Sequence, residues 1–202
     1  MKFNNRLQRQ IRSAPVTFQT RNDETGPVIA GYFAVFNTPT ELWPGCIEQI
    51  APGAFASSLT RDVRALIDHE TRLVLGRTVA GTLTLQEDNT GLYGEIKINE
   101  HDTDAMNLYA RVQRGDVSQC SFGFDITAED YVVSPDGQTC TWTIRDMILY
   151  EVSIVTFPAY EATSAIARDS GDTDSLKTAR LNRRKNELLE RIKKNAENYG
   201  SA

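Results

Sequence analysis

Hydrophobic residues along this chain recur mainly with a period of two, the spacing of half-buried strands, and take helical spacing in only a few places. Residues 1–27 are polar, lack any period and end in the turn formers NDETGP, which predicts a loose arm or an edge strand with a turn. The run VIAGYFAVF, residues 28–36, is apolar, aromatic and β-branched, as a buried strand requires, and NTPTELWPG after it supplies turn chemistry. CIEQIAPGAFASSL predicts a short strand entering a helix of about two turns, with Pro52 where a helix start tolerates it. In DVRALIDH, Val63, Ala65, Ile67 and His69 alternate against Arg64, Leu66 and Asp68, so a strand is expected to end at the histidine. VAGTLTLQED and GLYGEIKI form a hairpin pair around DNTG, because Asn and Gly accept the positive φ of tight turns.

The best internal helix is DTDAMNLYARVQRGD, with Asp102 or Thr103 as N-cap, Met106, Leu108, Ala110 and Val112 near helical spacing, and Gly115 as its stop. SQCSFGFDI, YVV and TCTWTIRDMILYEVSIVTFPAY read as three further strands, with SPDGQ as a hairpin loop and Pro158 ending the last. After Arg168 the acidic, small-residue stretch DSGDTDS precedes the basic segment LKTARLNRRKNELLERIKK, whose leucines recur at helical intervals. The predicted organisation is an N-terminal arm (1–27), one domain (28–167), and an acidic linker with a basic C-terminal helix (168–202). About seven strands against two or three helices predict a mainly β (α+β) fold, an antiparallel β-barrel.

Composition narrows the choice. A chain of 202 residues has room for one core with appendages, and 40% hydrophobic with 24% charged residues is the balance of a folded globular protein. No apolar run reaches the ~20 residues that cross a bilayer, and MKFNNRLQRQIR lacks the apolar stretch of a secretory signal, so the cytoplasm is the expected compartment and no membrane partner is expected. A net charge of -5 argues against general nucleic-acid binding, which needs a basic face. Cys46, Cys120 and Cys140 show no CxxC spacing, so buried free thiols are expected rather than a disulfide framework or a zinc site. With His69 and His101 the only histidines, no imidazole-rich metal site and no cofactor are expected, and the search for a general base is short.

Serine hydrolysis needs a hydroxyl, an imidazole to take its proton, and usually an acceptor that holds the imidazole in the right tautomer. Ser121 lies in CSFGF, where alternation puts Cys120, Phe122 and Phe124 on one face and Ser121, Gly123 and Asp125 on the other. The glycine leaves that face open to close approach by a substrate strand. Glu151 interrupts the apolar run LYEVSIVTF, where a carboxylate is costly unless paired. It either forms an ion pair with Arg145 or another basic group, or orients a histidine. His69 is either a surface imidazole between Asp68 and Glu70 or a general base. Cys120 faces the core with the phenylalanines and is rejected as nucleophile. A metal centre from Asp68, His69 and Glu70 fails because adjacent strand residues point to opposite faces.

Taken in order, GYFAVFNTP, IAPGAFASSL, LIDHETRLVLGRT, GLYGEIKI, RVQRGDVSQCSFGF and ILYEVSIVTFPAYEAT resemble the prohead maturation proteases of tailed bacteriophages. The resemblance covers about residues 28–167 and implies a fold similar to that of the herpesvirus assemblin protease. It implies a serine endopeptidase that cuts the capsid precursor and its scaffolding segment inside the immature prohead in the host bacterial cytoplasm, and also cuts itself. The implied partners are that precursor and a second copy of the chain, with no specific nucleic acid. By position, the family's nucleophile matches Ser121, its histidine His69 and its acid Glu151. His101 rivals Glu151, because the herpesvirus relatives use a second histidine there, and Asp125 is a weaker rival. Gly76 and Arg77 in LGRT are the candidate oxyanion donors, the alternative being a plain turn with a surface arginine. The basic C-terminal helix is either a solvated face or a docking tether. The competing function is a catalytically inactive assembly or scaffolding protein with the same fold.

Overall fold

The computed structural model describes residues 9–15, 18–23 and 26–157. The expected linker and basic helix, residues 168–202, lie outside the described residues. In chain order the strands are β1 (Gln10–Pro15), β2 (Gln19–Asp23), β3 (Gly26–Val35), β4 (Thr40–Trp43), β5 (Cys46–Ile50), β6 (Arg64–Ile67), β7 (Glu70–Arg77), β8 (Leu83–Glu87), β9 (Gly91–Lys97), β10 (Gln119–Val133) and β11 (Cys140–Val155). One α-helix, α1 (Thr103–Arg114), and two single 3₁₀ turns, Ala56–Ser58 and Thr78–Ala80, accompany them.

The long β10–β11 hairpin is the spine. Its two predicted front strands merge into one, β10, because the polar second half still pairs with β11 along its whole length. β1 adds to the outer edge of β10, while the far edge of β11 is shared: its first half pairs with β5 and its last residues with β6, both in parallel. β4 then pairs with β5, and β7 with β6. The second sheet has the order β2-β3-β9-β8.

The expected antiparallel barrel therefore does not form. The fold is mainly β with few helices, but its strands make two open sheets and include two parallel pairings. The reason is physical: a barrel closes only when its edge strands pair, and here β11 divides one edge between two partners, so the sheet branches instead of curling. The N-terminal residues expected as an arm or edge strand supply β1 and β2, at an edge of each sheet.

Between the sheets lies one core. Ile29, Phe33, Leu92 and Ile96 from the smaller sheet meet Phe122, Phe124, Val152 and Ile154 from the larger. Each such side chain contributes about 1.5–3 kcal/mol on burial. Phe122 stacks on Phe124 with ring centroids 5.0 Å apart and meets Phe55 edge-on at 5.7 Å. Helix α1 joins this core through Ala105, Leu108, Tyr109 and Val112, the i, i+3, i+4, i+7 face. Its ends match the sequence: the Asp102 carboxylate caps the N–H groups of Asp104 and Ala105, and Gly115 closes the helix at φ 83°.

Two local expectations are corrected. The two-turn helix after Pro52 shrinks to the 3₁₀ turn at Ala56–Ser58, because buried Ser58 is tied to β11. Its hydroxyl donates to the Met147 carbonyl at 2.7 Å and accepts from the Leu149 N–H at 2.9 Å. Cys46 and Cys140 are not free thiols but Cα partners on β5 and β11, joined as a disulfide 94 residues apart in sequence. Cys120 alone remains a buried free thiol, its Sγ 3.2 Å from the Phe33 carbonyl.

Candidate active site

One outward face of the β10–β11 hairpin collects the polar residues singled out by sequence. Cys120, Phe122 and Phe124 point into the core, so alternation turns Ser121 and Gly123 the other way. On β11, Val152 and Ile154 point inward and Glu151 and Ser153 share the face of Ser121. The register fixes the pairs across the hairpin: Ser121 opposite Ser153, and Gly123 opposite Glu151. A β-bulge follows, since Phe124 pairs with Leu149 and leaves Tyr150 unopposed. The extra residue lets both Tyr150 and Glu151 face outward while Leu149 stays in the core, the re-aiming that bulges provide.

The bulge alone does not place Glu151; Gly123 does. A Cβ on residue 123 would lie 2.5 Å from Glu151 Oε1, so the missing side chain is the space the carboxylate occupies. The sequence reading kept that space for a substrate strand, and the structure fills it from within. Glu151 Oε2 accepts the Ser153 hydroxyl at 2.5 Å, and Oε1 lies 2.8 Å from His69 Nδ1. Glu151 is thus hydrogen-bonded to a histidine, while Arg145 pairs with Asp130 at 2.7 Å.

His69 reaches this carboxylate by an unusual backbone. β6 ends at Ile67, and Asp68 and His69 form a two-residue hairpin loop into β7 with φ of 46° and 62°. Positive φ at both loop residues is what a type I′ turn requires, normally from Asn or Gly. A histidine there costs conformational energy, and the loop is held in place from β11. The Asp68 carboxylate accepts the Thr156 N–H at 2.8 Å, and its own N–H donates to the Ile154 carbonyl at 3.1 Å. The strand expected to run on to His69 would have put its ring on the core face with Ala65 and Ile67. The turn swings it to the face of Glu151 instead.

A carboxylate only accepts, so His69 Nδ1 carries the proton in this hydrogen bond, and Nε2 of the neutral ring keeps its lone pair. That Nε2 is buried and has no hydrogen-bond partner among the described residues. The Ser121 hydroxyl, fully buried, donates to the Arg12 carbonyl of β1 at 2.9 Å and not to the imidazole.

The other candidates fall elsewhere. Gly76 and Arg77 lie on β7, separated from β10 by β6 and β11, and the Arg77 guanidinium is held by Asp62, Nε to Oδ1 2.7 Å. That hydrogen bond, with the charge beside it, holds the Asp62 carboxyl below its ordinary range. Gly76 is required by packing: a Cβ there would meet the Thr82 carbonyl at 2.9 Å. His101 is exposed in the turn before α1, where its backbone N–H donates to Asn99 Oδ1. Asp125 accepts the Tyr150 hydroxyl at 2.7 Å, which raises the phenol above its usual range. Among the described residues no group of His, Cys, Asp and Glu could hold a metal ion, and no helix is long and apolar enough to cross a membrane.

Sequence reasoning missed Ser153 and the role of Gly123. The i, i+2 spacing of Glu151 and Ser153 was a visible signal, because it puts both on one strand face. Nothing local pointed to Arg12.

A two-sheet β domain whose central hairpin carries a serine on the same face as a carboxylate bonded to an imidazole has the residue types of a hydrolase that works by a nucleophilic hydroxyl. The chain belongs to the caudovirus prohead serine protease family, which it matches over residues 15–176. It is 34% identical over 149 residues to the prohead protease of Enterobacteria phage HK97, a match covering 72% of this chain and 61% of that protein. The chain thus spans about three fifths of that relative's length. Among solved structures it is similar to the capsid assembly protease of bacteriophage T4, with a TM-score of 0.48, 11% sequence identity, and coverage of 75% of this chain and 98% of that one.

Proposed function

We propose that this chain is a serine endopeptidase of capsid maturation, with Ser121 as nucleophile, His69 as general base and Glu151 as the group that orients the imidazole. The observation that carries this reading is the 2.8 Å bond from His69 Nδ1 to Glu151, which leaves a buried, unpartnered Nε2 on the ring. In the reaction His69 Nε2 takes the Ser121 proton as Oγ attacks the scissile carbonyl. The imidazolium then passes that proton to the leaving amine; a water, deprotonated by the same nitrogen, attacks the acyl carbon, and the acyl–Oγ bond breaks as Nε2 returns the proton to Oγ. Glu151 stays ionised and stabilises the imidazolium through Nδ1.

The substrate is the capsid precursor with its scaffolding segment, and the chain itself, inside the immature shell. Membership of the prohead protease family and the relationship to the HK97 enzyme support this choice. Co-expression with the capsid precursor tests it. Wild type is expected to yield processed capsid protein, and Ser121→Ala only the intact precursor, as read by mass spectrometry. Equal processing by both removes the proposed nucleophile, and an intact precursor with both favours an assembly protein without protease activity.

A further inference from the structure

The proposed nucleophile is covered by the chain's own N-terminus. β1 runs antiparallel to β10, with Ser13 opposite Ser121 and Arg12 opposite Phe122, and it takes up the edge of β10 from Gln119 to Phe124. The Ser121 hydroxyl is fully buried, and its proton is given to the Arg12 carbonyl. In this arrangement no substrate reaches Oγ, and the hydroxyl is not bonded to the imidazole.

The way β1 is held is equally telling. A charged side chain is ordinarily left in water, because taking a guanidinium out of it costs several kcal/mol. Arg12 does the reverse. Its side chain points inward, 4% exposed, passes over the Phe124 ring with 5.7 Å from Cζ to the centroid, and pairs with Glu48 of β5, which is 3% exposed. Nη2 donates to Glu48 Oε2 at 2.9 Å and Nε donates to Oε1. Glu48 reaches beneath the hairpin to meet a residue of β1, with β11 and β10 lying between their strands. Removing one partner of a buried ion pair is destabilising, so a strand that replaces β1 gains by bringing a positive charge to the same place. A cavity of about 310 Å³, lined by Arg12, Ser13, Thr38, Glu48, Gln49 and Phe122 among others, lies beside the guanidinium.

From these observations we infer that the edge of β10 is the docking surface for the substrate, an extended peptide carrying a basic side chain. Glu48 is its specificity determinant, and β1 occupies that surface in cis and keeps Ser121 latent. The inference rests on the proposed role of Ser121. It explains why a strand at the sheet edge spends a buried ion pair on its attachment: the same carboxylate that recognises substrate also holds the occupant that precedes it. Main-chain pairing along an exposed strand supplies affinity, and the one charged pocket supplies selectivity.

The test is the rate at which a small fluorophosphonate modifies Ser121 in the full chain, read by mass spectrometry of the Ser121 peptide. Arg12→Met is expected to react at least tenfold faster than wild type. Arg145→Met, which removes an exposed guanidinium paired with Asp130, is expected to react at the wild-type rate. A peptide RQIRSAPV, the sequence of residues 9–16, added in excess to Arg12→Met should slow the reaction at least fivefold, and the same peptide with Met in place of its second Arg should not. Equal rates for wild type and Arg12→Met, or equal protection by both peptides, overturns the inference.

If Arg12→Met does not fold, wild type decides by itself. At saturating probe its modification rate is expected to equal the opening rate of the β1 amides, measured by hydrogen exchange; a rate that follows the Val152–Ile154 amides instead overturns the inference. Folded chains that all modify at one rate overturn the inference and leave the proposed role of Ser121 standing. Folded chains with no adduct on Ser121 at all contradict the nucleophile reading, and the inference with it.

Discussion

Gly123 and Glu151 face each other across β10 and β11, and the carboxylate of Glu151 fills the space that a Cβ on residue 123 would take. A glycine on one strand thus sets the position of an acid on the next, and through it of His69. Gly123→Ala is expected to push the carboxylate off its line to Nδ1. Because the group that must give way is the far end of a flexible side chain, the fold should survive with a loss of about 1 kcal/mol. Misplacing a reacting group by about 1 Å costs on the order of 100-fold. Steady-state kinetics on a capsid-derived peptide should therefore show kcat lowered roughly 100-fold with KM nearly unchanged. Unchanged kcat in a folded variant would contradict the arrangement.

Ser153 is a positioning residue in the same scheme. Its hydroxyl holds Glu151 Oε2 and so leaves Oε1 for the imidazole. A hydrogen bond to a charged group contributes about 1.5–3 kcal/mol, so Ser153→Ala should lower kcat about tenfold with little change in KM. Ser153→Thr, which keeps the hydroxyl, should recover most of the loss. A Thr variant as slow as the Ala variant would mean that Ser153 serves packing alone.

How much of this was legible along the chain depends on whether the cause was local. Helix α1 was readable because its cap, its apolar face and its stop all lie within fifteen residues, and the β8–β9 hairpin was readable from its turn. The facing of Cys120, Phe122 and Phe124 followed from alternation. β7 was not picked out, since most of ETRLVLGR is exposed and gives little two-residue contrast. The swing of His69 was hidden because Asp-His is not a usual type I′ pair; the anchor that enforces it, Thr156, is distant in sequence. The branched sheet, the Cys46–Cys140 pair and the Arg12–Glu48 contact all depend on which distant strands pair. Local hydrophobic pattern does not encode that choice.

Acid should loosen one specific attachment along the β10–β11 hairpin. The Asp146 carboxyl is held below its ordinary range, foremost by the Thr127 hydroxyl at 2.6 Å, with burial opposing and the Ser57 hydroxyl adding. A depressed carboxylate contributes stability that is present above its unfolded pKa and lost as pH falls through the folded one. Thr127→Val should therefore melt about 2 °C below wild type at pH 6, a small effect because the pair is partly exposed. The gap should begin to narrow at about pH 4, where the unfolded carboxyl takes up a proton, and close as pH falls through the lower folded value. A gap constant from pH 6 to pH 3 in thermal melts would contradict this cause.

The most direct measurement of the central claim is the covalent intermediate itself. The wild-type chain, mixed with a capsid-derived peptide ester and quenched in acid within the first turnover, is expected to carry the acyl group on Ser121 when its digest is read by mass spectrometry, and His69→Ala is expected to carry none. An acyl group found on Ser153 or Cys120 of the wild-type chain, or turnover with no acyl-enzyme in the quenched digests, would contradict it.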